Sequence, residues 1–292
     1  MVFNNFLSTK LQSIKIDDSE IGLRQFGNGQ HVIFIHGFPT HGYTWRKILP
    51  HISEKYKCHV LDLPGLGESN WTNETNLYSQ AQANRIIKLI NALQIEKCSI
   101  VSHNSGATIA RIIAIDKPSL VDKLVLINTE IPNHRPPWIP LYQKIGLLPL
   151  VPNIIRLALK QSWFVKSSMG FREAYSNKKM LENSENLWTY IQPIISTKKR
   201  LIGAFKYLKG IDWEIIDDFK KNHQKIKAKT LLIWGEDDKT FPVKLAENMV
   251  SQFKGNCELV KIKSASLLPH EEKNEEVASI ILNFLKDNTL NS

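Results

Sequence analysis

Short, nearly all-apolar runs alternate along most of the chain with segments whose apolar residues recur at helical spacing. Such runs are typical of parallel strands buried on both faces. The alternation therefore predicts an α/β fold with a doubly wound, mostly parallel sheet that helices cover on both sides. The predicted strands are 23–26, 31–35, 57–61, 100–101, 123–127, 230–234 and 258–262, and the predicted helices are 43–52, 77–93, 107–114 and 275–286.

The alternation stops between residues 133 and 226, where helical segments and many aromatic residues follow one another. We expect residues 133–226 to be an inserted helical cap on a core formed by 1–132 and 227–292. Because apolar cavities between substructures are common binding sites, the expected partner is a small hydrophobic molecule in a cavity between core and cap. The aromatic candidates for lining that cavity are Trp138, Tyr142, Trp163 and Tyr190.

Composition and charge narrow the classes of partner. The 292 residues are 42% hydrophobic, which is enough to bury one large core. A formal net charge of +10 raises the hypothesis of a nucleic-acid partner. The basic residues are nevertheless dispersed, with denser places only at 198–200 and 220–229. We interpret those places as solvated faces and expect no nucleic-acid partner.

No apolar run reaches the 18 residues that a membrane span requires, and the chain does not start with a secretory pattern. We therefore expect a cytoplasmic protein with no membrane span; its oligomeric state stays open. The three cysteines, Cys58, Cys98 and Cys257, lie far apart without metal-ligand spacing. They predict buried free thiols, and the sequence predicts neither a metal nor a cofactor.

The segment from Ser99 to Ala107 has the shape of a nucleophile elbow, a tight turn between a strand and a helix. Ser102 and Gly106 are the small residues two positions before and after its apex. The apex itself is Asn104. A carboxamide is a poor nucleophile and does not readily form the covalent ester for which such turns are built.

A set of motifs follows in order along the chain: HGFPT with a subsequent YTW, DLPGLGES, SHNSGA, GEDD and PHEE. Over nearly the whole length these motifs resemble the α/β-hydrolase superfamily, and within it the epoxide hydrolase and haloalkane dehalogenase-like group. The resemblance implies the hydrolase fold, an elbow Asp that attacks carbon, a His that activates water, and an acidic residue that orients the His. Asn104 departs from this pattern at the nucleophile position.

The resemblance places the acidic residue at Asp238, in the GEDD turn, or alternatively at Glu130, after the preceding strand. A turn or capping carboxylate is the ordinary structural interpretation of either residue. The catalytic His is implied directly after the small residues of the late loop, and Leu267 stands there. Since leucine carries no proton, this is a second departure from the pattern.

Three histidines lie near the implied site. His270 replaces the missing base only if the late loop folds differently. The resemblance implies structural roles for His103, beside the elbow, and for His36, which braces the oxyanion loop. On sequence grounds no histidine is a convincing general base.

The backbone N–H groups of Phe38 and Ser105 are implied as an oxyanion hole. The Ser105 hydroxyl, one step beyond the apex, is expected to point away from the pocket. Halide chemistry is disfavoured, because Ser105 stands where many dehalogenases have a Trp and Phe38 where some have an Asn.

Three hypotheses of function follow. The first is a ligand-binding or catalytically impaired hydrolase homologue without nucleophile and base. The second is an enzyme of non-hydrolytic chemistry, an isomerase, lyase or cyclase, that uses Asn104 and the oxyanion hole. The third is a hydrolase whose nucleophilic Asp has been replaced by Asn104.

Overall fold

The structure is a computed structural model that describes residues 6–182 and 184–287. Residues 1–5, at which a secretory signal would begin, lie outside the described residues. The strands are β1 Gln12–Ile16, β2 Ser19–Phe26, β3 Gln30–Ile35, β4 Tyr56–Leu61, β5 Asn70–Trp71, β6 Cys98–His103, β7 Val121–Ile127, β8 Lys229–Gly235 and β9 Cys257–Ile262. The helices are α1 Leu49–Ile52, α2 Ser79–Ala92, α3 Ser105–Asp116, α4 Trp138–Ile145, α5 Val151–Leu159, α6 Ser162–Val165, α7 Ser184–Ile195, α8 Lys198–Lys209, α9 Trp213–Asn222, α10 Val243–Val250, α11 Pro269–Glu272 and α12 Asn274–Lys286.

The described strands form one sheet in the order β1-β2-β4-β3-β6-β7-β8-β9, with β5 beside β2. From β4 to β9 every pair along this order is parallel, whereas β2 runs antiparallel to β1, β4 and β5. The fold is thus the expected doubly wound, mostly parallel α/β sheet. Because β3, β6, β7 and β8 are parallel, their carboxyl ends lie on the same side of the sheet. Ligands bind on that side in such folds.

Alternate residues of the central strands enter two separate cores. Ile33 and Ile35 of β3 pack into the core that α2 and α3 cover, and Val32 and Phe34 pack into the core that α1 and α12 cover. All four of these side chains are buried. Because both faces of the strand are covered, its sequence is apolar throughout, and this is why the strands were visible as continuous apolar runs.

The predicted single helix over 43–52 is wrong. The segment contains a 3₁₀ turn, Gly42–Trp45, followed by the separate short helix α1. Pro50 lies in the first turn of α1, where its missing N–H is tolerated. In a continuous helix the same ring would remove a hydrogen bond and clash with the preceding turn, so Pro50 divides the segment.

Six α-helices, α4 to α9, lie between β7 and β8, and the described residues of this segment include no strand. The segment contacts the rest of the chain through polar bonds: His41 Nε2 lies 3.0 Å from the Thr189 carbonyl of α7, and Arg200 of α8 donates to the Ser69 carbonyl. No described helix is both long and apolar enough to cross a bilayer. Cys58 and Cys98 are buried free thiols, but Cys257 is partly exposed because it begins the edge strand β9.

Candidate active site

The elbow has the backbone geometry that its sequence predicts. Asn104 lies between the end of β6 and the start of α3, with φ 51° and ψ −133°. The close approach of strand and helix requires glycine at two positions. A Cβ on Gly106 would lie 2.2 Å from the His36 carbonyl, and a Cβ on Gly37 would lie 2.4 Å from Asn104 Cβ. The turn is therefore held rigidly in a conformation that non-glycine residues rarely adopt.

The side chains around the apex bond to one another. The Ser105 backbone N–H donates to Asn104 Oδ1 over 2.7 Å, and the Phe38 backbone N–H donates to Ser105 Oγ over 3.1 Å. Tyr207 Oη, on α8, lies 3.0 Å from the same Ser105 Oγ. The Ser105 hydroxyl is thus bonded to the Phe38 N–H and to Tyr207 Oη. Both N–H groups of the expected oxyanion hole thus have acceptors within the chain.

Leu267 lies beside the elbow, after β9. Its carbonyl oxygen accepts a hydrogen bond of 2.9 Å from His103 Nε2, which fixes the proton on that nitrogen. The other ring nitrogen, His103 Nδ1, is buried and has no partner among the described residues. Burial, as the largest cause, lowers the pKa of His103 to about 3 despite the Leu267 bond. His103 is therefore a neutral imidazole that holds the late loop against the elbow.

His270 is buried among Thr44, Trp45 and His103. Its ring lies between those of Trp45 and His103, with ring centroids 4.7 Å and 4.8 Å away, and its Nε2 lies 2.7 Å from Thr44 Oγ1. Burial, followed by the charges of His103 and neighbouring cations, lowers the pKa of His270 well below its usual value.

His36 is a structural brace. It donates from Nδ1 to the Gly37 carbonyl over 3.0 Å and accepts the Leu63 N–H at Nε2 over 2.9 Å. Burial lowers the pKa of His36 to about 4, so the ring is neutral and both of its nitrogens are occupied.

The two candidate acids have different surroundings. Asp238, after β8, accepts the Thr240 N–H over 2.7 Å at Oδ1 and the Asn128 amide over 2.6 Å at Oδ2. Burial raises the pKa of Asp238 to about 6, although these hydrogen bonds act to lower it. Asp238 thus caps its own turn, and no histidine is among its hydrogen-bond partners in the described part of the chain.

Glu130 is buried behind the elbow helix. The Thr108 hydroxyl donates to Glu130 Oε2 over 2.9 Å, while Oε1 has no partner among the described residues. Arg111, itself buried, donates to the Glu130 carbonyl oxygen over 3.0 Å. Burial is the largest influence on Glu130 and raises its pKa. No histidine bonds to this carboxyl group within residues 6–182 and 184–287.

A cavity of about 420 Å³ lies between the carboxyl ends of the parallel strands and helices α4 to α8. Phe38, His103 and Leu267 line it from the sheet side, and Trp138 and Tyr142 line it from α4. Most of the remaining lining is apolar: Ile155, Leu159, Phe164, Phe171, Ile191, Ile194, Leu201, Phe205 and Leu208. Asn104 and Ser105 are not among the lining residues. The apex amide is 4% exposed and lies beneath the cavity floor.

Two of the aromatic candidates do not line this cavity. Trp163 is 70% exposed on the outer surface of α6. Tyr190 of α7 is buried, with its hydroxyl directed at the Glu271 carboxylate. Periodicity places an aromatic residue on a helix face but does not say whether that face meets the cavity, the core or solvent. His36 and His270 likewise lie behind the cavity wall, whereas His103 forms part of it.

A protein-family model described as "alpha/beta hydrolase fold" matches residues 30–266. The chain belongs to the α/β hydrolase fold family. Epoxide hydrolase 4 of Homo sapiens is 26% identical over 294 residues, covering 94% of this chain and 79% of the human protein. Epoxide hydrolase 3 of Xenopus tropicalis is 24% identical, covering 95% of this chain and 78% of that protein.

Solved structures have the same fold. The structure of epoxide hydrolase CorEH without ligand aligns with a TM-score of 0.79 at 17% identity, covering 94% of this chain and 98% of that one. An esterase from Thermogutta terrifontis aligns with a TM-score of 0.77 at 20% identity, covering 95% of this chain and 98% of that one. At these identities the structures show the shared fold. The family model and the sequence relatives make the chain an epoxide hydrolase-like member of the α/β hydrolase family.

This α/β hydrolase also contains a polar cluster that sequence reasoning missed. Arg46 donates to Glu271 Oε1 and Oε2 over 3.0 and 3.1 Å, and Tyr190 donates to the same carboxylate. Tyr207, which contacts Ser105, was also missed. Both tyrosines lie between residues 133 and 226, where aromatic residues are frequent, and nothing in their spacing distinguishes them from core residues.

Proposed function

We propose that this epoxide hydrolase-like protein binds a small hydrophobic molecule and does not carry out covalent hydrolysis. The ligand would lie between the core, 1–132 and 227–292, and a helical cap formed by 133–226. The observation that carries the proposal is the closed elbow. Both backbone donors expected to stabilise an oxyanion are hydrogen-bonded within the chain, at Ser105 Oγ and Asn104 Oδ1.

The chemistry of the surrounding groups supports the absence of turnover. A covalent cycle needs a nucleophile and a proton shuttle that act as a unit. Asn104 offers a neutral amide at the nucleophile position, and Leu267 offers an aliphatic side chain at the position implied for the His. The adjacent imidazole, His103, donates its Nε2–H to the Leu267 carbonyl oxygen.

The cavity supports binding. Its volume of about 420 Å³ suits a small organic molecule, and its wall is predominantly apolar. Thr40, Lys239 and Thr240 are polar residues of the lining at the sheet end. A ligand that is mostly hydrocarbon, with one polar end toward the sheet, would match this distribution.

The hypothesis of an isomerase, lyase or cyclase requires free donors at the elbow that polarise a substrate. Because the N–H groups of Phe38 and Ser105 already have acceptors within the chain, they favour ligand binding without chemistry over that hypothesis. It would regain support if the Ser105 hydroxyl rotated away when a substrate entered, which product analysis with candidate substrates would reveal.

The proposal is tested with N-phenyl-1-naphthylamine, a neutral fluorescent probe, and with panels of epoxides, esters and haloalkanes. We expect saturable probe binding that Ala204→Leu weakens at least about tenfold, since Ala204 lines the cavity and added methyl groups would fill it. Ala158→Leu makes the same change on α5, away from the lining, and should leave binding unchanged. Turnover of any panel member well above the buffer blank would contradict the proposal.

A further inference from the structure

Large apolar side chains are exposed mainly on one part of the molecule. Of the 13 exposed large hydrophobic residues among the described ones, ten lie between residues 138 and 188. Leu150 is 71% exposed, and Ile154 and Leu157, one turn apart on α5, are 62% and 64% exposed. A soluble monomer does not usually concentrate large apolar groups on one surface without a partner for them. We call this surface the α4–α6 patch: Trp138, Leu141, Leu147, Leu148, Leu150, Ile154, Leu157, Trp163 and Met169.

The charge of the same segment has one sign. Residues 131–172 contain six lysines and arginines and no aspartate or glutamate. Arg135 pairs with Asp217, and Arg172 lies 4.0 Å from Glu173. Lys144, Lys160 and Lys166 form no salt bridge with any described acidic residue. The apolar surface is therefore accompanied by lysines that form no salt bridge within the described chain, although Glu185 lines the same small pocket as Lys160 and Lys166.

The α4–α6 patch is continuous with the mouth of the cavity. Trp138, Leu141 and Met169 are exposed on the outside and also line the cavity. On α5, Ile154 and Leu157 are exposed, whereas Ile155 and Leu159 line the cavity. One short helix therefore presents apolar residues both outward and inward, and the path from the surface to the cavity is lined by hydrocarbon.

We propose that the α4–α6 patch docks on a lipid bilayer with anionic headgroups and opens the cavity toward the bilayer. Exposed Leu, Ile and Trp side chains would enter the interfacial region, and the lysines would contact the anionic headgroups. The docking proposed is peripheral, because only side chains of the patch enter the interfacial region. A second copy of the chain fits this surface less well, because two such faces would bring lysines of like charge together.

Docking on a bilayer does not depend on the absence of turnover. A hydrolase and a binding protein would both gain access to apolar molecules dissolved in a membrane. Association with vesicles is therefore measured separately from probe binding in solution, so that each proposal can fail on its own.

The test is flotation of the full chain with vesicles of phosphatidylcholine alone, or of equal parts phosphatidylcholine and phosphatidylglycerol. We expect partition to the anionic vesicles that weakens at high salt. Leu150→Asn/Ile154→Gln/Leu157→Gln should lower the partition coefficient at least about tenfold. Asn suits residue 150, whose φ is 70°. Lys144→Gln/Lys160→Gln/Lys166→Gln should abolish the preference for anionic lipid over neutral lipid.

The matched control is Leu7→Gln/Leu11→Gln/Tyr78→Gln, which changes exposed apolar residues outside the patch and should partition like the unaltered chain. Absence of flotation, or an equal loss in this control, would overturn the proposal. Light scattering that shows a dimer in solution, which the Leu150/Ile154/Leu157 variant dissociates, would also overturn it in favour of a second copy. Unchanged probe binding by that variant in solution shows that the cavity is intact, so failure of docking is distinguishable from failure of ligand binding.

Discussion

At the scale of single residues, the elbow keeps its backbone geometry, while the side chains of Asn104 and Ser105 accept hydrogen bonds from the backbone donors beside them. A non-glycine residue at φ 51° and ψ −133°, outside the left-handed helical region, is strained by about 1–3 kcal/mol. The bond from the Ser105 N–H to Asn104 Oδ1 caps α3 and helps to fix the turn. The apex residue thus has a structural role that does not depend on any reaction.

Asn104→Asp tests whether one substitution separates this protein from a hydrolase. A carboxylate at residue 104 would still accept the Ser105 N–H and would still lie beneath the cavity floor. We therefore expect intact-mass spectra of this variant to show no covalent adduct after incubation with epoxides or haloalkanes. A mass increase equal to that of the epoxide, or to that of the haloalkane less the hydrogen halide that is lost, would support the hypothesis of a hydrolase with a replaced nucleophile.

The sequence predicted the elbow because all of its determinants lie within a few residues: an apolar strand, small residues around the apex, and a helix. It did not predict the position of the Ser105 hydroxyl. That position depends on Tyr207, which is 102 residues away along the chain, and on the Phe38 N–H, which is 67 residues away. Contacts of this kind are set by how the helices between β7 and β8 pack on the sheet, and no local pattern encodes them.

At the scale of elements, Glu271 of α11 joins three parts of the fold. Its carboxylate accepts from Arg46, which follows the 3₁₀ turn Gly42–Trp45, and from Tyr190 of α7. Burial acts to lower the pKa of Arg46, but Tyr190 and Glu271 together raise it, so the guanidinium stays charged. The ion pair joins Arg46 to α11, and the Tyr190 hydroxyl joins α7 to the same carboxylate.

Glu271→Ala would leave the Arg46 charge buried without its partner. The Glu271 side chain is 1% exposed and that of Arg46 is 12% exposed, so little solvent is available to compensate. We expect the free energy of unfolding to fall by about 3–5 kcal/mol in urea titrations. Glu275→Ala, at an exposed position of α12, should change it by less than about 0.5 kcal/mol. A loss below about 1 kcal/mol for Glu271→Ala would mean that the cluster does not hold the elements together.

The strands that could be predicted from the sequence are those buried on both faces, because burial makes them apolar throughout. The central strands are apolar on both faces, and each predicted strand coincides with part of an observed one. Strand β1, at the antiparallel edge, was missed because its residues are mostly half-exposed or exposed, and Lys15 and Gln12 interrupt the apolar signal. The spacing of apolar residues predicted one helix over 43–52. Pro50 divides this segment, so the prediction was wrong.

At the scale of the whole molecule, buried histidines link stability to pH. Burial, as the largest cause, lowers the pKa of His36 and of His59 to about 4 and that of His103 to about 3. In the unfolded chain these groups take up protons near pH 6.5, whereas in the folded chain they stay neutral until the pH is much lower. Their contribution to stability is therefore complete above about pH 6.5 and is lost as the pH falls toward 4. The raised pKa of Asp238 acts in the opposite direction.

His59→Gln isolates one of these contributions. The His59 ring lies between Gln25 and His31, with hydrogen-bond distances of 3.0 and 2.9 Å, and burial lowers its pKa more than the charges of His31 and Lys57 do. A glutamine amide can bond to the same two partners but takes up no proton. Between about pH 6 and 4.5 we expect the unaltered chain to lose about 2 kcal/mol more stability than the variant, as measured by urea unfolding at each pH. Gln25→Ala removes a partner of the ring and keeps its titration, so its stability curve should run parallel to that of the unaltered chain. Parallel curves for His59→Gln as well would show that this histidine does not couple folding to pH.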